Sequence, residues 1–171
     1  IFLICPWLLD GAGNRLTRVA GGATDTYAYS PTANQVSTIT TGSNVRSFTY
    51  LTSGQVSQDV RDASHTHTFA ANDNGRNTSA SLNASTVGSY LTNAFEQRVQ
   101  KVAGGVTTQF VFDRFGHLLE EADASGTVQR EYIWLDDLPV ARGDDTGLAP
   151  VIYYIHTDQL GTPQKITDSA A

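Results

Sequence analysis

Large aromatic residues return along the chain at Tyr29, Tyr50, Phe69, Tyr90, Phe112, Tyr132 and Tyr154, at intervals of 21, 19, 21, 22, 20 and 22 residues. Several have an aromatic partner two positions away: Tyr27 with Tyr29, Phe48 with Tyr50, Phe110 with Phe112, Tyr132 with Trp134. A two-residue spacing puts both rings on one face of a β-strand, whereas a helix would space them by three or four. A repeated strand unit of about 21 residues is therefore the main constraint on the fold.

A self-comparison supports the repeat. Residues 14–29 align without gaps on residues 97–112, an offset of 83, close to four such units. Arg15 matches Arg98, Val19-Ala-Gly-Gly22 matches Val102-Ala-Gly-Gly105, and Tyr27 and Tyr29 match Phe110 and Phe112. A Gly-Gly pair between two alternating runs is a hairpin signal, because primed turns need positive φ. A second kind of turn has Asp first and Gly fourth. It is seen at Asp10-Gly-Ala-Gly13, Asp113-Arg-Phe-Gly116 and Asp123-Ala-Ser-Gly126, with Asp73-Asn-Gly75 read as one residue shorter. Ser30-Pro-Thr-Ala33 and Asn93-Ala-Phe-Glu96 hold the same place without the Gly, and are expected to be weaker turns or turns of another type. Each unit thus contains two strands and two turns.

The expected fold is all-β: a repetitive antiparallel β-hairpin meander forming a curved, open sheet strip. Strands are expected near 14–20, 23–29, 34–40, 45–51, 54–60, 65–70, 76–81, 86–91, 97–103, 106–112, 117–122, 127–135, 139–142 and 151–156. No helix is expected, and 143–150 is the clearest loop. The repeat region runs over 9–168 as about eight units, after an uncertain segment 1–8 and before a tail 169–171. A lone hairpin is marginal in water, so stability has to come from neighbouring units packing their aromatic faces together.

Composition narrows the function classes. Charged residues are 16% of the chain and hydrophobic ones 40%, which suits a folded β-protein better than a disordered one. The net charge of −6, with scattered Lys and Arg, argues against a nucleic-acid surface. Residues 1–9 are apolar but too short to span a bilayer, and they lack a basic n-region. Cys5 is the only cysteine, which precludes an intrachain disulfide and a cysteine-built zinc site. The absence of Met suggests a fragment or a processed product.

The motif at 110–118, Phe-Val-Phe-Asp-Arg-Phe-Gly-His-Leu, with its period near 21, resembles the YD repeat. Two further blocks resemble segments of bacterial Rhs (rearrangement hotspot) proteins: Glu131-Tyr-Ile-Trp-Leu-Asp-Asp-Leu-Pro-Val-Ala141 and Tyr153-Tyr-Ile-His-Thr-Asp-Gln-Leu-Gly-Thr-Pro-Gln-Lys-Ile-Thr-Asp168. The resemblance covers nearly all of the chain beyond the first eight residues, although the repeats at 30–90 are degenerate. It implies a spiral β-sheet that coils into a hollow shell enclosing a C-terminal toxin domain, in a secreted or cell-surface protein used in bacterial competition. The implied partners are that toxin domain of the parent polypeptide, delivery-system proteins and carbohydrate, with no nucleic acid and no membrane span. The family's self-cleaving aspartate site and its toxin lie outside the matched motifs, so the expectation is a structural segment and not an enzyme. The alternatives are a cell-surface carbohydrate- or protein-binding module, or a truncated remnant without independent activity.

Few residues invite chemistry. His65 and His67 share a strand face and could ligate a metal with His117 or His156, but the spacing of a metal motif is absent. His156-Thr-Asp158 looks like a general-base pair without a nucleophile motif, and in the family pattern it is framework. The acidic doublets Glu120-Glu121, Asp136-Asp137 and Asp144-Asp145 are read as strand residues with one carboxylate per face. A calcium loop at 143–147 lacks the EF-hand pattern. Gly11-Ala-Gly13 and Gly104-Gly105 precede no helix and are not phosphate loops. No catalytic, cofactor-binding or metal residue is assigned, and no cofactor is expected.

Overall fold

A computed structural model describes residues 7–145, 147 and 149–168. Cys5, the tail 169–171, and Thr146 and Leu148 of the 143–150 loop lie outside the described residues. The chain divides into two compact units, Ile1–Val87 and Gly88–Ala171.

Unit 1 contains β1 (Trp7–Leu9), β2 (Arg15–Ala20), β3 (Ala23–Tyr29), β4 (Val36–Thr41), β5 (Asn44–Tyr50), β6 (Val56–Asp62), β7 (His65–Ala71) and β8 (Asn77–Leu82). The division falls within β9 (Ser85–Thr92). Unit 2 continues with β10 (Arg98–Ala103), β11 (Val106–Phe112), β12 (Leu118–Ala122), β13 (Val128–Leu135), β14 (Leu138–Asp144), β15 (Val151–Thr157) and β16 (Pro163–Thr167). Strand order is chain order throughout, all registered pairs are antiparallel, and the 16-stranded sheet is open. The described residues contain no helix. β1 and β16 were not among the expected strands. β16 opens on Pro163, which weakens its strand signal but is tolerated at a sheet edge, where no ladder donor is needed.

Two turn chemistries alternate along the meander. Gly21-Gly22 (φ 57° and 81°) and Gly104-Gly105 (φ 58° and 77°) are two-residue turns with both residues left-handed, as primed hairpins require. Asn83-Ala84 adopts the same shape without glycine (φ 50° and 67°). At the other end, β1–β2, β5–β6, β7–β8, β9–β10, β11–β12 and β15–β16 are closed by three-residue loops that end in a left-handed residue beside a bulge, while the β3–β4 loop is one residue longer and β13–β14 has a two-residue turn. The register accordingly slips at Ala28/Tyr29, Thr49/Tyr50, Ala70/Ala71, Arg98/Gln100 and Val111/Phe112.

Neither unit has a conventional core. The buried residues among those described are Asp59, Gly88, Ala122, Pro139, Ala141 and Gly143, all small or polar. Cross-strand partners share a face, so the registers define two faces in each unit. In unit 1 one face carries Tyr27–Ile39–Arg46 and Phe48–Asp59–His67–Leu82. The other carries Ala28–Thr38–Ser47–Val60–Thr66 and Thr49–Gln58–Thr68–Ser81. In unit 2 the aromatic face holds Tyr90–Lys101–Thr108, Phe110–Glu121–Arg130–Asp144 and Tyr132–Arg142–Tyr153. Its opposite face holds Val111–Glu120–Glu131–Gly143–Ile152 and Ile133–Ala141–Tyr154.

The aromatic rings of successive hairpins, expected to pack on one another, are met instead by cations. Arg46 lies 4.8 Å from the Phe48 ring centre, Arg98 4.7 Å from Tyr90 and Arg142 5.1 Å from Tyr153. Every ring–ring contact among the described residues involves a histidine: His67–Phe69, Phe115–His117 and His117–Trp134. Tyrosine hydroxyls tie β3 and β5 each to the strand before it. Tyr29 donates to the Arg15 carbonyl (2.9 Å) and Tyr50 to the Val36 carbonyl (2.7 Å), fourteen residues back in both cases.

Candidate functional site: turn clamps and ion networks

The Asp-x-x-Gly turns share one construction. The first residue's N–H donates to the carbonyl of the fifth, and the fourth residue's N–H returns to the carbonyl of the first, as in Asp113→His117 (3.0 Å) and Gly116→Asp113 (3.2 Å). The first side chain then accepts two more amides, from the third and fifth residues. Asp113 Oδ1 takes Phe115 N–H (2.8 Å) and His117 N–H (2.9 Å). Asp10, Asp123 and Asp158 repeat this on Ala12 and Asn14, on Ser125 and Thr127, and on Leu160 and Thr162. Oxygen acceptors that take amide donors are stabilised as anions. The carboxyl of Asp10 is held below its usual range by the side-chain bond from Asn14, that of Asp123 by Ser125 and that of Asp158 by the Thr162 amide. For Asp113, partial desolvation pulls upward, but the bonds from His117 and Phe115 outweigh it and the net shift is down.

Two turn readings are corrected. The turn read as short at Asp73 is full length, because Asn72 is its first residue and its Oδ1 accepts Asn74 N–H (3.1 Å) and Arg76 N–H (2.8 Å). Asn93-Ala-Phe-Glu96 is of the same type as the Asp turns. Asn93 clamps Phe95 and Gln97, and Glu96 adopts the left-handed conformation (φ 66°) that glycine holds elsewhere. A further turn of this series, Leu51-Thr-Ser-Gly54, keeps the backbone bonds without any clamp, since leucine has no acceptor. The Ser30 turn differs as expected. It is one residue longer, with Ser30 N–H reaching the Gln35 carbonyl.

The aromatic faces carry the charges. In unit 1, Arg46 binds Asp59 through two bonds of 2.7 Å, and Arg61 Nε adds a third at 3.1 Å. The Arg46 bond leads the causes that hold Asp59 below the usual carboxylate range despite desolvation. In unit 2, Glu121 accepts Arg130 (2.9 Å) and the Tyr132 hydroxyl (2.7 Å), while Arg142 Nη2 donates to Asp144 (2.8 Å). Burial, with the bond to Glu121 next, pushes Tyr132 up to about 12. A recess of about 430 Å³ runs along this network between Val106, Glu121, Arg130 and Asp144, and Arg130 is paired there with both Glu121 and Asp144.

The histidines do not converge on a metal. His65 Nδ1 bonds Asp62 (2.8 Å), His67 stacks on Phe69, and His156 Nε2 meets Thr167 Oγ1 (2.9 Å). His117 lies between two carboxylates, with Nδ1 2.9 Å from Asp113 Oδ2 and Nε2 3.0 Å from Asp137 Oδ1, and stacks 4.5 Å from Trp134. A neutral imidazole has one N–H and can donate to only one of them, so this arrangement favours the imidazolium. The Asp113 bond accordingly raises the His117 pKa. No group of three or more His, Cys, Asp or Glu among the described residues could hold a metal. Asp136-Asp137 is the β13–β14 turn, with Asp136 at φ 51°, and not a strand pair; in Glu120-Glu121 only Glu121 faces the aromatic side. In the 143–147 loop, Asp145 Oδ1 accepts Gly147 N–H at 2.7 Å. No helix among the described residues is long and apolar enough to cross a membrane.

These features define a repeat protein of β-hairpins clamped at their turns. No family model and no curated protein matches the chain. Solved structures do match. The chain is similar to TcdB2-TccC3 at 13% identity and a TM-score of 0.55, over 94% of its own length and 9% of that chain. It is similar to TcdB2-TccC3-Cdc42 at 12% identity and 0.56, over 94% and 9%. The form of TcdB2-TccC3 without its hypervariable C-terminal region gives 12% identity and 0.54, over 95% and 11%. At these identities the likeness establishes the fold, and the chain spans about a tenth of the length of each neighbour.

Proposed function

We propose that the chain is a wall segment of an Rhs-like shell, which encloses a toxin domain encoded in the same polypeptide and performs no bond chemistry itself. The observation that carries this reading is a sheet one layer thick, without a core, whose fold recurs over 94–95% of the chain in TcdB2-TccC3 structures. A wall needs long continuous backbone pairing and side chains satisfied laterally within the sheet. The turn clamps, the hydroxyl ties of Tyr29 and Tyr50 and the ion networks supply both. Secretion or surface display, and delivery-system partners, follow from the same reading.

The test uses the parent polypeptide with whatever segment follows this one. Limited proteolysis of the intact protein should leave the downstream domain protected, and Asp59→Ala or Asp113→Ala in the wall should hasten its digestion. Equal digestion rates with an intact and a weakened wall would refute enclosure.

A further inference from the structure

In unit 2 the turns that join odd to even strands lie at one end of the hairpins, and they carry a row of large apolar side chains. Phe95 and Phe115 occupy the third position of their clamped turns and are 83% and 70% exposed; Leu160 holds the same position in its turn at 82%. Between Phe115 and Leu160, the Asp136-Asp137 turn is flanked by Leu135 and Leu138, also exposed. Leu138 leans over Gly161, where a Cβ would come within 3.1 Å of it. In unit 1 the third positions are Ala12, Thr32, Ser53 and Asn74, none of them large and apolar. Asn93, Asp113 and Asp158 clamp the backbone amides of Phe95, Phe115 and Leu160. Glu96 is even held at positive φ, so that the turn presenting Phe95 keeps the common shape.

We propose that this rim is a self-association surface, and that its occupant is the same rim of a second copy, running antiparallel about a two-fold axis. Successive stations are two strands apart, about 9.5 Å, and a second rim has the same period at every station. Reversal sets Phe95 against Leu160 and Phe115 against Leu135 and Leu138, an aromatic against an aliphatic group each time. An isologous contact requires this kind of self-complementarity. The charges follow the same symmetry. Arg114, whose guanidinium lies 4.5 Å from the Phe115 ring, comes opposite the copy's Asp137, whose side chain is 95% exposed. Four stations form a small interface, so the dimer is weak and concentration-dependent. This inference does not rest on the shell reading: a dimer can form whether or not any cargo is enclosed.

Sedimentation equilibrium of the full chain from micromolar to submillimolar concentration tests it. The wild-type protein should approach twice the monomer mass, and the triple variant F95S/F115S/L160S should stay monomeric with an unchanged circular dichroism spectrum. Leu91→Ser, which removes an apolar side chain exposed on a strand face, should associate like wild type. Arg114→Asp and Asp137→Arg should each weaken self-association about tenfold, and an equal mixture of the two should restore it. A wild-type protein monomeric at every concentration, a triple variant that still dimerises, or a Leu91→Ser variant that does not would overturn the proposal. A mixture that fails to re-form the dimer would overturn the antiparallel register.

Discussion

The two units are built on one repeat but spend their side chains differently. In unit 1 the face opposite the aromatics is a field of Thr and Ser, and its ion cluster has one carboxylate, Asp59, serving two arginines. In unit 2 the corresponding face mixes Val, Ile and Glu, and the ion network alternates Glu121, Arg130, Asp144 and Arg142. The repeat therefore prescribes backbone and turns while leaving both faces free. A sheet without a core tolerates this, since no side chain has to fit a filled interior.

The largest expected effect breaks the comparison at its ion clusters. Asp59→Ala removes the centre of the unit 1 cluster and leaves Arg46 and Arg61 without their shared acceptor. It should cost about 2 kcal/mol, allowing for the partial exposure of both arginines. Glu121→Ala should cost about 1 kcal/mol, because Arg130 keeps Asp144 within 3.7 Å. Urea denaturation with hydrogen exchange resolved by unit measures both; equal losses would show that the networks are equivalent.

Next come the left-handed positions. Ala84→Gly in the turn after β8 and Glu96→Gly in unit 2 should each stabilise by about 0.5–1 kcal/mol, because φ values of 67° and 66° strain any residue with a Cβ. Gly116→Ala, at φ 95°, should destabilise by about 1 kcal/mol or more. Thermal melts of the three variants check the signs, and a destabilised Glu96→Gly would mean that the glutamate side chain outweighs its backbone strain.

Smaller effects come from pH. His117 has a raised folded pKa, so its contribution is full below the unfolded value near 6.5 and fades as pH rises through the folded one. Unit 2 should loosen at the Asp137 contact on that rise, seen as a change in Trp134 fluorescence that His117→Gln abolishes. On the acid side, Asp113, Asp123 and Asp158 have depressed pKa values. Their clamps are complete above about 3.8 and are lost as pH falls through the folded values. The amide resonances of Phe115, Ser125 and Leu160 should shift on that fall, while those of Asn74 and Phe95, held by Asn72 and Asn93, stay put. Parallel movement in both sets would mean that the clamp is not what titrates.

Most of the fold could be read from residue spacing. Alternating aromatics and Gly-Gly or Asp-x-x-Gly punctuation act through neighbours a few residues apart, so their meaning survives without a third dimension. The readings that failed did so where another residue can stand in. Asn72 and Asn93 clamp as aspartate does, and Glu96 accepts a glycine conformation. The doublet Asp136-Asp137 was misplaced because one left-handed residue converts a strand reading into a turn.

The sequence alone therefore determined an all-β repeat of about 21 residues and the chemistry of most of its turns, because hairpins are local. Only the tertiary structure decided that guanidinium groups and histidine rings meet the aromatics, that His117 joins two turns, and that Phe95, Phe115 and Leu160 line one rim. Among those contacts, Arg142 and Tyr153 are 11 positions apart, His117 and Asp137 are 20 apart, and the rim gathers side chains as far apart as Phe95 and Leu160. Their existence depends on strand register, which no short window of sequence contains.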